Sequence, residues 1–177
     1  MAFNNLQGFQ PNKCPLSRKR KNQNKEIHMK TIIEQKDFVK ISNRIRLLSS
    51  TNKKRWGKMT LQEMLVHCTT QLKLALGEIE SSAQGSFIMR TAFGKWIAFS
   101  NIPWPKGSNT PSEMNVEKNR FMLTDIENEK KDLLTYLDRV MSASELMPHP
   151  FFGQLTKTEW SRLIFKHIDH HLKQFSQ

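Results

Sequence analysis

Three helix starts in this chain announce themselves with the same device, a threonine followed three residues later by a glutamate, ahead of an apolar run with a period near 3.6. The pairs are Thr60/Glu63, Thr124/Glu127 and Thr156/Glu159. In such a capping box the hydroxyl accepts the glutamate N–H while the carboxylate reaches back to the threonine N–H, so two donors orphaned by a helix start are satisfied locally. The chain is thereby committed to helix at three points, and from Glu34 onward the whole pattern is helical.

The second predicted helix spans about Leu61 to Ile79, with Leu61, Met64, Leu65, Cys68, Leu72, Ala75 and Ile79 on one stripe. The third places Ile126, the stem of Lys130, Leu133, Leu134, Leu137, Val140 and Met141 on its apolar face, and the fourth places Trp160, Leu163, Ile164, Ile168, Leu172 and Phe175. A shorter first helix carries Phe38, Ile41, Ile45 and Leu48 and ends in Ser49-Ser50-Thr51-Asn52. Four amphipathic helices each need a partner for one face, so the predicted fold is all-α, a four-helix bundle. The connection from Ser81 to Leu123 is too long for a simple turn. It predicts a crossover between helices two and three, with a short extra helix in the apolar stretch Phe87 to Phe99. An irregular end follows, where Pro103, Pro105 and Pro111 remove donors. Helices two and three are then free to run parallel.

The 177 residues are one domain's worth of chain, and 37% apolar content supplies a core. The net charge of +12 is uneven: six cations and one acid fall in residues 1–29, a net +5. Residues 1–28 hold Asn, Gln, Lys and two prolines without an apolar period, so a disordered basic tail is expected there, and a helical domain over 29–177. Met29-Lys30-Thr31-Ile32-Ile33 also reads as an ordinary beginning, which would place residues 1–28 upstream of the natural start. The run Arg18-Lys19-Arg20-Lys21 and the cluster Lys53-Lys54-Arg55 are the features that would suit an acidic partner or nucleic acid. No apolar run approaches the length of a membrane span, and no secretory signal opens the chain. Cys14 and Cys68 lie in segments of different character, so no disulfide and a reducing cytoplasm are expected. The seven glycines match no phosphate-binding loop.

The residues with chemistry to offer are histidines. On the fourth helix His167 and His171 lie about 40° apart inside the apolar stripe, at the i, i+4 spacing that lets two imidazoles converge on one ion. Placed on a core face they need partners for their nitrogens, and neighbouring side chains would serve as well as a metal. His170 flanks the stripe and Asp169 is expected to point to solvent. Gln174 falls where it can support the pair. A third ligand has to come from another helix, and His67 is the candidate, although its stripe position is a flank beside Glu63, Gln71 and Glu78. His149, before Pro150, reads as a loop residue, and His28 lies in the tail. Cys68, rotated about 100° from His67, reads as a small core residue. No Ser/His/Asp set or paired carboxylate suggests chemistry without a metal. Glu63 and Glu78 are the candidate general bases, the first already used in a capping box and the second about three turns from His67.

Several segments together resemble a known family. They are Trp56-Gly57-Lys58-Met59-Thr60 leading into Met64-Leu65-Val66-His67-Cys68, the run His149-Pro150-Phe151-Phe152-Gly153-Gln154-Leu155-Thr156 to Glu159-Trp160, and Lys166 to Phe175. They are similar to the DinB-like, YfiT-related metalloenzymes, and more narrowly to a bacterial subgroup of unknown function. The resemblance spans Met29 to Gln177. It implies an up-down-down-up four-helix bundle holding a divalent transition metal, nickel or zinc, on three histidines. Carried over, these fall on His67, His167 and His171, with the final His-x-x-Gln on His171 and Gln174. It also implies a thiol-dependent transferase or a hydrolase acting on a small-molecule substrate, including a low-molecular-weight thiol. A metal-binding or stress protein without turnover is the alternative, and a basic nucleic-acid-binding adaptor a further one. Among partners, a homodimer is admitted, while neither a membrane nor nucleic acid is expected.

Overall fold

A computed structural model of the protein describes residues 1, 29–107, 110–115, 119 and 121–177. The tail, with Arg18 to Lys21, Cys14 and His28, lies outside the described residues. The fold is all-α. Among the described residues five α-helices have their full range: α1 Gln35–Arg46, α2 Leu61–Ala75, α3 Ala92–Phe99, α4 Ile126–Ser142 and α5 Lys157–Gln174. Single 3₁₀ turns stand at Phe87–Arg90 and Ser112–Met114.

The capping boxes at Thr60/Glu63 and Thr156/Glu159 form in both directions, and α2 and α5 start at them. The third does not form. Asp125 caps α4 by accepting the Asn128 N–H at 3.0 Å, Glu127 pairs with Lys130, and Thr124 gives both its N–H and its hydroxyl to Glu129. Aspartate is the stronger cap, and it moves the helix start by one residue. The second helix stops at Ala75 rather than Ile79, because Gly77 takes φ +78°. The chain turns there, with the Glu78 N–H returning to the Lys73 carbonyl at 2.9 Å.

Pairwise contacts fix the helix directions. Gln62, at the start of α2, reaches the Thr124 carbonyl just ahead of α4. Glu78, beyond the end of α2, meets Tyr136 and Arg139 late in α4, so α2 and α4 run the same way. Thr31, ahead of α1, bonds Ser161 early in α5, and Arg44, late in α1, pairs with Asp169 late in α5. These two helices are also parallel. Lys130, early in α4, donates to the Leu48 carbonyl past the end of α1, so the two pairs oppose each other. Between them lies one core, in which Ile41, Ile45, Leu65, Cys68, Leu72, Leu137, Trp160, Ile164 and Ile168 are fully enclosed.

The long segment between α2 and α4 is not a loose loop. It lays α3 on α5 and the Ser112–Met114 turn on α2. Lys166 of α5 holds the end of α3 by donating to the carbonyls of Ala98 and Ser100 at 2.7 and 2.8 Å, where a helix C-terminus favours a cation. Gln84 ties the same segment to the Pro150 carbonyl. A cavity of about 910 Å³ is left between α2, α5, this segment and the loop at His149–Phe152.

Candidate metal centre

His67 comes from the middle of α2, and His167 and His171 from the second half of α5. The two helices are antiparallel neighbours, since Gln174 at the end of α5 bonds the Trp56 carbonyl just before α2. All three histidines are buried, and their candidate ligand nitrogens all lie within 4.8 Å of one another. His167 Nε2 stands 2.9 Å from His67 Nε2 and 3.1 Å from His171 Nε2. Nitrogens bound to one zinc at tetrahedral angles would be about 3.3–3.4 Å apart, so a small adjustment seats an ion.

Hydrogen bonds decide which way the protons point. His67 Nδ1 lies 2.9 Å from the Met114 carbonyl oxygen, which only accepts, so Nδ1 carries the hydrogen and Nε2 presents a lone pair. Gln174 spends its amide N–H on Trp56 and so offers its oxygen, at 3.0 Å, to His171 Nδ1. His171 Nε2 is therefore a lone pair too. Both lone pairs face His167 Nε2, which has at most one hydrogen to give, and His167 Nδ1 is buried without a partner. Whichever tautomer His167 adopts, the metal-free cluster leaves a nitrogen unsatisfied. A cation at the centre satisfies all three lone pairs at once. Burial keeps the rings neutral, as ligands must be: it lowers the His67 pKa, takes His167 well below the usual value, and brings His171 to about 3.

The flank position assigned to His67 becomes an interior one because the Ser112–Met114 turn covers that side of α2. His170 is half-buried at the rim, its ring 6.0 Å from Trp56 and 6.3 Å from Trp104. Asp169 is not simply solvated. It pairs with Arg44 at 2.5 Å and Lys173 at 2.6 Å, well away from the chemistry, and these two cations, against the cost of burial, hold its carboxyl below the usual range. Glu63 stays in its capping box, and Glu78 bonds Tyr136 and Arg139 at the surface. Neither reaches the site. Cys68 is a free, buried core thiol whose pKa burial pushes up. Of the basic cluster, Arg55 closes the end of α5 by giving its N–H to the Gln174 carbonyl at 2.8 Å, and its side chain bonds Ser176.

Residue types alone did not single out His149. It is buried against Trp160 and Phe152, and it lines the same cavity as the three histidines, together with Gln71, Met89, Trp56 and Trp104. Desolvation lowers its pKa to about 4. The only signal in the sequence was its neighbourhood, a proline and two phenylalanines unusual for an exposed loop.

No helix among the described residues is long and apolar enough to cross a membrane. No curated protein and no solved structure matches the chain. A family model does: residues 28–177 match the one described as protein of unknown function (DUF1569), and the chain belongs to that family.

Proposed function

We propose that the protein is a metal-dependent enzyme in which His67, His167 and His171 hold one nickel or zinc ion beside a cavity that admits a small substrate. The observation that carries this reading is the convergence of Nε2 lone pairs from His67 and His171, each pinned through its Nδ1–H, on a third buried imidazole. Three neutral nitrogen donors suit nickel or zinc better than oxygen-seeking magnesium or calcium. When bound, such an ion supplies Lewis acidity that lowers the pKa of a bound water or thiol. The protein's own part is to orient the ligands through the Met114 carbonyl and Gln174, and to screen them from bulk water with Trp56 and Trp104.

The reaction on this reading is thiol-dependent transfer or hydrolysis. The fold is read as an up-down-down-up four-helix bundle with a long crossover, of the DinB/YfiT-like type, supported by the parallel α1/α5 and α2/α4 pairs. A cytoplasmic setting suits the free thiol of Cys68. Turnover is favoured over mere metal storage by the cavity, whose volume falls within the roughly 300–1,000 Å³ of small-molecule sites.

Metal analysis of the purified protein tests the site. About one nickel or zinc per chain is expected, and His171→Ala should empty it; full occupancy in that variant would sink the assignment. A screen of thiol and ester substrates at defined metal loading then separates an enzyme from a protein that binds metal without turnover.

A further inference from the structure

The same cavity holds two buried polar side chains that the metal reading leaves without a role. Gln71 stands one turn beyond His67 on α2, is 2% exposed and lines the cavity, yet its amide oxygen has no partner. An amide carried into a core with one end unmatched costs stability, so its retention there calls for a partner that the protein does not itself provide. His149 is held more firmly than a loop residue needs to be. Its backbone makes a reciprocal pair of 2.8 Å hydrogen bonds with Gly153. Its Nδ1 accepts the N–H groups of Phe151 at 3.1 Å and Phe152 at 3.4 Å. With Nδ1 accepting, the proton must sit on Nε2, which makes His149 a fixed N–H donor in the cavity wall.

The remaining lining narrows the ligand. Among the described residues it contains no carboxylate and no guanidinium, and the two lysines among them, Lys58 and Lys106, are exposed. Apolar surface dominates between the mouth and the histidines. Away from the three histidines and any ion they hold, an ionised group taken inside would therefore lose its hydration with no countercharge to replace it, whereas a neutral amide or carbonyl would lose little and find both a donor and an acceptor.

We propose that Gln71 and His149 form a neutral hydrogen-bonding subsite, which takes the uncharged amide or carbonyl group of a substrate with an apolar body. This rests on the metal reading only in placing the reacting atom at the three histidines.

Three probes of equal chain length test it: hexanamide, hexanoate and hexylammonium, titrated by ligand-observed NMR with a chelator present. Hexanamide should bind about tenfold or more tighter than either ion. Gln71→Met keeps the length and apolar contact of the side chain and removes the amide, so hexanamide should weaken by about tenfold. His149→Asn leaves an acceptor near the Nδ1 position for Phe151 and Phe152 but removes the Nε2 donor, with the same expected loss. Nickel titration of each variant, read separately, should match the parent. If the three probes bind alike, or Gln71→Met binds hexanamide as well as the parent does, the subsite is refuted. Should His149→Asn fail to fold, Gln71→Met decides alone. Failure of nickel to bind the parent would overturn the metal reading and leave the amide result standing.

Discussion

Replacing His167 with leucine distinguishes a histidine kept for a metal from one kept for stability. In the metal-free protein, His67 and His171 both aim lone pairs at His167 Nε2, and His167 Nδ1 is buried without a partner. The three rings therefore share at most one N–H···N hydrogen bond, worth about 1 kcal/mol net, and leave a buried nitrogen unmatched at a cost of about 1–3 kcal/mol. Leucine gives up that bond and strands one further lone pair of His67 or His171, but it removes the His167 Nδ1 orphan and adds apolar surface one turn from Leu163. The orphan gained and the orphan removed offset, the lost bond costs about 1 kcal/mol and the apolar surface returns about 1–2 kcal/mol, so the balance is level or favourable by up to about 1 kcal/mol. In a protein of this size 1 kcal/mol moves the midpoint by about 2–4 °C. With chelator present, His167→Leu should melt at or a few degrees above the parent by far-UV circular dichroism. With nickel at about 100 times its Kd the order should reverse, because the parent alone gains about 2.7 kcal/mol by mass action. A variant that melts several degrees below the parent in chelator would mean that His167 is a satisfied structural residue, and the reasoning would fail.

Three further outcomes follow from the same geometry. A Cβ on Gly57, whose φ is +82°, would lie 2.0 Å from Gln174 Nε2, so Gly57→Ala should dislodge the support of His171 and weaken nickel binding about 10–100-fold; an unchanged titration would contradict this. The lowered pKa values of His149, about 4, and His171, about 3, mean that the unfolded chain takes up protons before the folded one does. Stability of the metal-free protein is then fully present above about pH 6.5 and falls as pH drops from there toward 4 and 3, which urea titrations across that range will check. A chain starting at Met29 should keep its helicity, midpoint and metal, since the core begins at Ile32 and the family match at residue 28; a fall of several degrees would show that residues 1–28 contribute to the fold.

Local chemistry was enough to read much of this protein. Helix starts at Thr60 and Thr156 follow from hydrogen bonds that close within four residues, and the stripes of α2 and α5 follow from periodicity, so both were readable without any knowledge of neighbours. The pairing of His167 with His171 was readable for the same reason, since i, i+4 residues of one helix always meet. Where two local signals compete, the reading slips by a little: Asp125 displaced Thr124 as the cap, and Gly77 ended α2 four residues before Ile79.

What periodicity could not supply was the environment of each face. His67 sits on the edge of its own stripe, and it is interior only because a turn distant in sequence brings the Met114 carbonyl onto its Nδ1. Asp169 has a helical position that points outward, and it is engaged because Arg44 arrives from α1. His149 and Gln71 gain significance only from a cavity whose walls come from several separate segments. A helix specifies its own hydrogen bonds and the angle at which each side chain leaves it. Whether that side chain meets water, a carbonyl or another imidazole is set by which segments pack against it, and that was decided by the tertiary fold.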